Sequence, residues 1–209
     1  MNAMKNWAVA VVALPMLAGC FGGFDSRQPA PDTFVLVASA KPAEAGTVST
    51  LPGTLTVRLP RVRGGWDNHQ LPVHLPDGRS DRLAAAVWAS PVDDGVGTVM
   101  ADTLRTRGVF AAVLSDTSPF MGKWALELEV AEFGARYTRL GEAPRVEVVL
   151  TGVLGRAKDG AVLGAVEGKA TVLATADTRT AIAAAFIAAV QAATTQVAVQ
   201  AEQLAAADR

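Results

Sequence analysis

The chain contains one cysteine, Cys20, in 209 residues. A single thiol cannot close an internal disulfide, so it stays free, pairs between chains or carries a modification. Stability must therefore come from packing rather than from cross-links. Neither sign of charge is in excess, since 19 basic and 20 acidic residues leave a formal charge of −1. There is no basic stripe to neutralise phosphates, which excludes nucleic acid as an expected partner. The two histidines, His69 and His74, lie five apart with Asp67 nearby. Zinc sites use a tighter, repeated ligand pattern, and no further His or Cys completes one, so no metal is expected. Aromatic residues are few as well, at 6% of the chain.

The usual catalytic signatures are also missing. Gly164 to Ala170 (GAVEGKA) has a superficial phosphate-loop look. Its first glycine is one residue too close to Gly168-Lys169, and Ala170 stands where a magnesium-binding hydroxyl belongs. Gly95-Val-Gly97 lacks the third glycine of a dinucleotide fingerprint, and no G-x-S-x-G elbow occurs. Asp93 and Asp94 form a carboxylate pair, yet acids in the first turn of a helix explain them. No enzyme and no cofactor are expected.

What the chain does have begins at its N-terminus. Lys5 precedes an apolar run from Trp7 to Ala18. About a dozen residues is short of the roughly 20 needed to cross a bilayer, so the run reads as a secretory signal. It ends in Leu17-Ala18-Gly19-Cys20, which resembles the bacterial lipobox. Small residues there admit the peptidase, and the thiol is the nucleophile that takes the diacylglycerol. Cys20 is thus the expected lipidation site and first mature residue. Phe21 follows, rather than the Asp that retains lipoproteins in the inner membrane. The expected location is the periplasmic face of the outer membrane, with the inner membrane as the alternative.

Three segments follow: a signal peptide over 1–19, a lipid-anchored tether over 20–32 and one domain over 33–209. Phe21 to Asp32 (FGGFDSRQPAPD) is a Gly/Pro/polar spacer, able to reach about 40 Å when stretched. Within the domain, Thr33–Ala38 and Thr54–Leu59 read as strands separated by an irregular stretch, Lys41–Gly53. In the second strand Leu55, Val57 and Leu59 alternate with Thr54, Thr56 and Arg58, predicting one buried and one wet face. Gln70–Leu75 and Leu83–Trp88 flank an Asp77-Gly78 turn and predict a hairpin.

The period then changes. Ser90-Pro91-Val92-Asp93 predicts a helix with Ser90 capping and Pro91 as its first residue, and Gly108 is a plausible stop. Val92, Val96, Val99, Met100 and Thr103 share one face. Strands are predicted within Val109–Leu114, Lys123–Tyr137, Arg145–Arg156 and Ala161–Thr175, the later ones an antiparallel meander. Asp177 can cap a last helix through Ile182, Phe186, Val190, Ala193 and Val197, whose Ala-rich end from Ala201 should fray. The fold class is α/β: a mixed, largely antiparallel sheet with two or more helices packed on it.

Among the tryptophans, Trp66 lies on a glycine-flexible loop, Gly64-Gly65-Trp66-Asp67-Asn68, where an aromatic suits a binding hot spot. Trp66, Asp67 and Asn68 are therefore the candidate partner-binding residues, and Trp88 and Pro91 a structural box.

Taken in order, these features resemble one family. A lipobox leads to a short Phe-Val-Leu strand, an LTVRLPRV strand and the segment WDNHQLPVHLPDGRSDRL. Trp88-Ala89-Ser90-Pro91 then opens a helix with Asp102-Thr103-Leu104 near its end, and a meander and an Ala-rich helix follow. The pattern is similar to the ABC-type transport auxiliary lipoproteins, the PqiC-like outer-membrane lipoproteins. That family usually carries a Tyr-Leu-Asp-Arg-like run where this chain has Gly65-Trp66-Asp67-Asn68, and a basic residue where it has Val87. The resemblance implies a non-enzymatic component working beside an ABC permease and a mammalian-cell-entry (MCE) type protein that moves lipid between envelope membranes. Its implied partners are that MCE-domain protein with its permease complex, and the membrane through the lipid on Cys20; a homo-oligomer is a further possibility. Two other functions compete: an envelope lipoprotein supporting secretion or cell-wall machinery, and a hydrolase with an unrecognised site.

Overall fold

A computed structural model describes residues 30–39, 50–65 and 68–208. The expected signal peptide, Cys20 and nearly all of the expected tether lie outside the described residues, as do Trp66 and Asp67.

The longest strand organises the rest. β7 (Trp124–Arg136) buries Trp124, Leu126, Leu128 and Val130 on one face, as its alternation predicts. One residue is then inserted, because the register shifts between Val130 and Glu132. The bulge moves Phe133 and Ala135 onto the core face that unbroken alternation would deny them. β8 (Arg145–Arg156) and β9 (Val162–Leu173) follow antiparallel, completing the predicted meander. The turn between them uses Gly160 at φ 70°, with the Asp159 carboxylate accepting the Ala161 N–H at 3.2 Å.

The opposite edge of β7 is shared. β2 (Leu51–Val57), β3 (Arg61–Val62) and β4 (Gln70–His74) each pair with it in parallel, in that order along its length. Beyond β4 lie β5 (Ser80–Trp88), antiparallel, and β1 (Asp32–Phe34), parallel. Beyond β2 lies β6 (Phe110–Ser115), parallel. The sheet is therefore mixed, with nine strands among the described residues. β1 stops short of the expected Ala38, and Leu51–Gly53 belong to β2 rather than to an irregular stretch.

The link from β6 to β7 crosses over β2, and this overturns part of the predicted alternation. Gly122 lies so close to β2 that a Cβ would fall 2.6 Å from the Thr54 carbonyl oxygen. Its N–H donates to Thr56 Oγ1 at 3.1 Å. Thr56 is consequently buried, while Leu59, expected in the core, is half exposed beyond the strand's end.

α1 (Val92–Arg107) buries Val92, Val96, Val99, Met100 and Thr103 and ends at Gly108 in the left-handed region, as expected. Pro91, expected as the first helical residue, is instead the N-cap, without a side-chain capping bond. Gly95 and Gly97 sit where any side chain would press on Leu36 and Pro60, each 3.0 Å from the added Cβ. α2 (Arg179–Ala207) is capped by Thr178, whose hydroxyl accepts the Ala181 N–H, rather than by Asp177. By length and composition alone α2 could cross a membrane, but more than half of its most apolar stretch is buried within the fold. It packs on β8 and β9 and meets α1, where Arg107 holds Glu202 through two bonds of 2.6 and 2.7 Å.

The end of α2 does not fray. Ala201 and Ala205 are buried, and Asp208 accepts the Trp124 indole N–H at 2.9 Å and two donors from Arg156. The Arg156 guanidinium, then the indole, hold the Asp208 carboxyl down at about 2. Asp177, freed from capping, accepts the Tyr137 hydroxyl at 2.6 Å. Burial, and then that bond, push the Tyr137 phenol above its ordinary range.

Candidate functional site

The loop singled out in the sequence springs from a tight turn. Arg63–Gly65 form a kinked turn with Gly64 at φ 81° and Gly65 at φ 74°, conformations that favour glycine. Arg63 is tied to Glu129 of β7 by an ion pair, fixing where the loop departs from the sheet. On its far side, Asn68 has a structural task. Its side-chain oxygen accepts the Gln70 N–H at 2.8 Å, and its carbonyl accepts the Val92 N–H at 3.2 Å. Asn68 thereby joins the start of β4 to the start of α1.

The two histidines serve the same neighbourhood separately. His69 Nδ1 lies 2.9 Å from the Trp88 carbonyl oxygen, so the ring braces β5 against the loop. His74 bridges Ser80 and Glu132, with Nδ1 3.0 Å from the hydroxyl and Nε2 3.3 Å from the carboxylate. It lies over Gly134, where a Cβ would strike the imidazole at 2.4 Å. Among the described residues, no three His, Cys, Asp or Glu side chains gather where they could hold a metal ion.

Trp88 is almost wholly buried, and three rings surround it edge-on: Phe34 at 6.5 Å, Phe133 at 6.2 Å and Phe186 at 5.7 Å. These rings come from β1, β7 and α2, so the tryptophan ties the hairpin to the meander and to the last helix. Pro91 follows it at the N-cap of α1. Asp93 and Asp94 sit in the first turn, and Asp93 accepts the Asp94 N–H at 2.8 Å. GAVEGKA is a stretch of β9, not a loop. Gly164 and Gly168 lie directly beneath Leu204 and the Ala193 carbonyl, so their missing side chains admit α2.

A cleft of about 220 Å³ that the sequence did not announce opens between the end of β2, α1 and the start of the crossover. Arg58, Asp94, Thr98, Arg105 and Asp116 line it. Arg58 is neutralised by Asp116 at 3.0 Å, and Arg105 by Asp102 at 2.7 Å, with Arg105 also donating to the Val113 carbonyl. Both cations are thus already compensated within the fold.

The family model for the ABC-type transport auxiliary lipoprotein component matches residues 34–198. The chain belongs to this family. Among solved structures the auxiliary lipoprotein is similar to a Xanthomonas campestris protein of the DUF330 family, at 19% identity and a TM-score of 0.74 over 84% of this chain and 98% of that one. An uncharacterized protein matches at 14% identity and a TM-score of 0.60, over 84% of this chain and 99% of that one. A hypothetical protein from Chlamydia trachomatis does so at 8% identity and a TM-score of 0.50, over 75% and 99%. At such identities the likeness shows the fold. No curated protein matches the sequence. Membership makes the chain an auxiliary, transport-associated lipoprotein.

Proposed function

We propose that this auxiliary lipoprotein is held at the periplasmic face of the outer membrane by a lipid on Cys20, where it acts as the non-catalytic docking component of an ABC/MCE-type transport system. The family match across residues 34–198 carries the proposal. The Leu17-Ala18-Gly19-Cys20 sequence supports the anchor, since stable attachment takes more than one acyl chain and a lipidated cysteine supplies several. The domain itself supports a docking role: its histidines brace the backbone and a carboxylate, and its Asp93-Asp94 pair belongs to a helix start. The loop at Trp66, Asp67 and Asn68 remains the proposed contact with the partner.

In-cell crosslinking of the tagged, intact lipoprotein tests this. Recovery of an MCE-domain protein with its permease, with crosslinks mapping to residues 66–68, is expected. Recovery of secretion or cell-wall machinery in its place would overturn the docking role. Cys20→Ala tests the anchor separately: unprocessed or mislocalised precursor is expected, and normal maturation into the outer-membrane fraction would refute lipidation at Cys20.

A further inference from the structure

Among the described residues β9 is the last strand on its side of the sheet, so one of its edges faces away from β8. A free edge offers a row of N–H and C=O groups to any extended chain. Here the middle of that row is already taken. Gln200 Oε1 accepts the Glu167 N–H at 3.0 Å, and Gln200 Nε2 donates to the Glu167 carbonyl at 2.6 Å. Gln196 repeats the arrangement on Lys169, with both bonds at 3.0 Å.

A primary amide presents a donor and an acceptor side by side, as the N–H and C=O of one extended residue do. Each glutamine therefore closes a two-bond ring in the place of the one that a residue of a neighbouring strand would close. The spacings allow two in succession. Four residues of helix advance about 6.0 Å and two residues of strand about 6.7 Å, so an i, i+4 pair on α2 reaches i, i+2 positions on β9. Gly168, between the two, lets the helix come this close: a Cβ there would lie 2.1 Å from the Ala193 carbonyl oxygen.

The edge so covered is suited to a copy of itself. Leu163 to Leu173 reads LGAVEGKATVL, nearly symmetric about Gly168. A second β9 laid antiparallel about a two-fold axis at Gly168 would set Glu167 opposite Lys169 of the second copy. It would likewise set Ala165 opposite Thr171 and Leu163 opposite Leu173. Opposite charges and matched apolar residues across an antiparallel pair are stabilising. The same backbone groups that would pair, those of Glu167 and Lys169, are the ones the glutamines hold.

We propose that Gln196 and Gln200 act as a side-chain surrogate for a further strand, latching shut an edge of β9 that is built to pair with a second copy of this chain. The proposal is independent of the transport reading. Gln196→Met/Gln200→Met in the full-length protein tests it, because methionine keeps helix propensity and length but has no amide. Hydrogen exchange at low protein concentration should show the Glu167 and Lys169 amides at least tenfold faster than in wild type, with the Val166 and Gly168 amides unchanged. Sedimentation over a concentration series should then show assembly beyond the wild-type state. Adding Lys169→Glu, which opposes two carboxylates, should abolish that extra assembly. Fast exchange of both amides in the wild type would overturn the latch. Freed amides without new assembly, or assembly that survives Lys169→Glu, would overturn the pairing. Should the double variant fail to fold, Gln200→Met alone frees only the Glu167 amide and is read by the same two measurements.

Discussion

The two edges of β7 are built in different ways. Along one, β8 pairs from Trp124 to Arg136 with one bulge between Val130 and Glu132, and β9 extends the pattern. Along the other, β2, β3 and β4 take turns, each parallel and each short, and each carries its own extension or none. The meander edge is held by long adjacent ladders, whereas the divided edge has only short ladders and leans on side chains that tie its outer strands to the core. Trp88, buried among Phe34, Phe133 and Phe186, is the largest of these side chains. Long ladders tolerate local loss; a divided edge depends on a few anchors.

That contrast is most sharply broken at Trp88. Trp88→Ala should cost about 3–5 kcal/mol in urea unfolding, the range for a large buried aromatic. An unchanged midpoint would mean that the ring cluster does not hold the divided edge. On the meander side, Gly168→Ala forces α2 away from β9 and should cost about 1–3 kcal/mol by overpacking. Equal losses at Gly168 and Trp88 would dissolve the distinction between the edges.

Thr56→Val tests the crossover. It leaves the buried Gly122 N–H without its acceptor and should cost about 1–3 kcal/mol, although the methyl fits an apolar pattern. A stabilised variant would show that the hydroxyl is dispensable. Acid is what undoes the Asp208 clasp. Its carboxyl is depressed from 3.8 to about 2, so it adds stability above the unfolded value, which is lost as pH falls through that interval. Asp208→Asn should flatten the acid limb of the stability curve there. Asp159, lowered chiefly by the Ala161 N–H, contributes in the same direction and should leave part of the slope. An acid limb identical to wild type would show that the clasp is open in solution. Leu59→Ser should change stability by less than about 0.5 kcal/mol, as for a surface position. A large loss would restore Leu59 to the core face that alternation assigned it.

The meander and both helices were legible because their signals are local. Trp124, Leu126 and Leu128 alternate, Val92 to Thr103 recur at helical spacing, and Gly108 and Gly160 end their elements in left-handed conformations. The register of the divided edge was not legible, since parallel pairs join residues far apart in the chain and leave no turn to read. The candidate site divides along the same line. Cys20 and the Trp66 loop could be nominated from short motifs alone. The bracing of Asn68 and His69, and the cleft beside Arg58, required side chains from distant segments to meet.

Local sequence alone set the α/β class of the chain, the alternating core of β7 and the apolar stripe of α2. These follow from residue type and spacing within a dozen positions. Only the tertiary structure decided that Thr178 rather than Asp177 caps α2, that Asp208 pins a helix end expected to fray, and that two glutamines close β9. In each case a side chain has several partners within reach along the chain. The choice falls to whichever distant backbone or charge the packed core brings within hydrogen-bond distance.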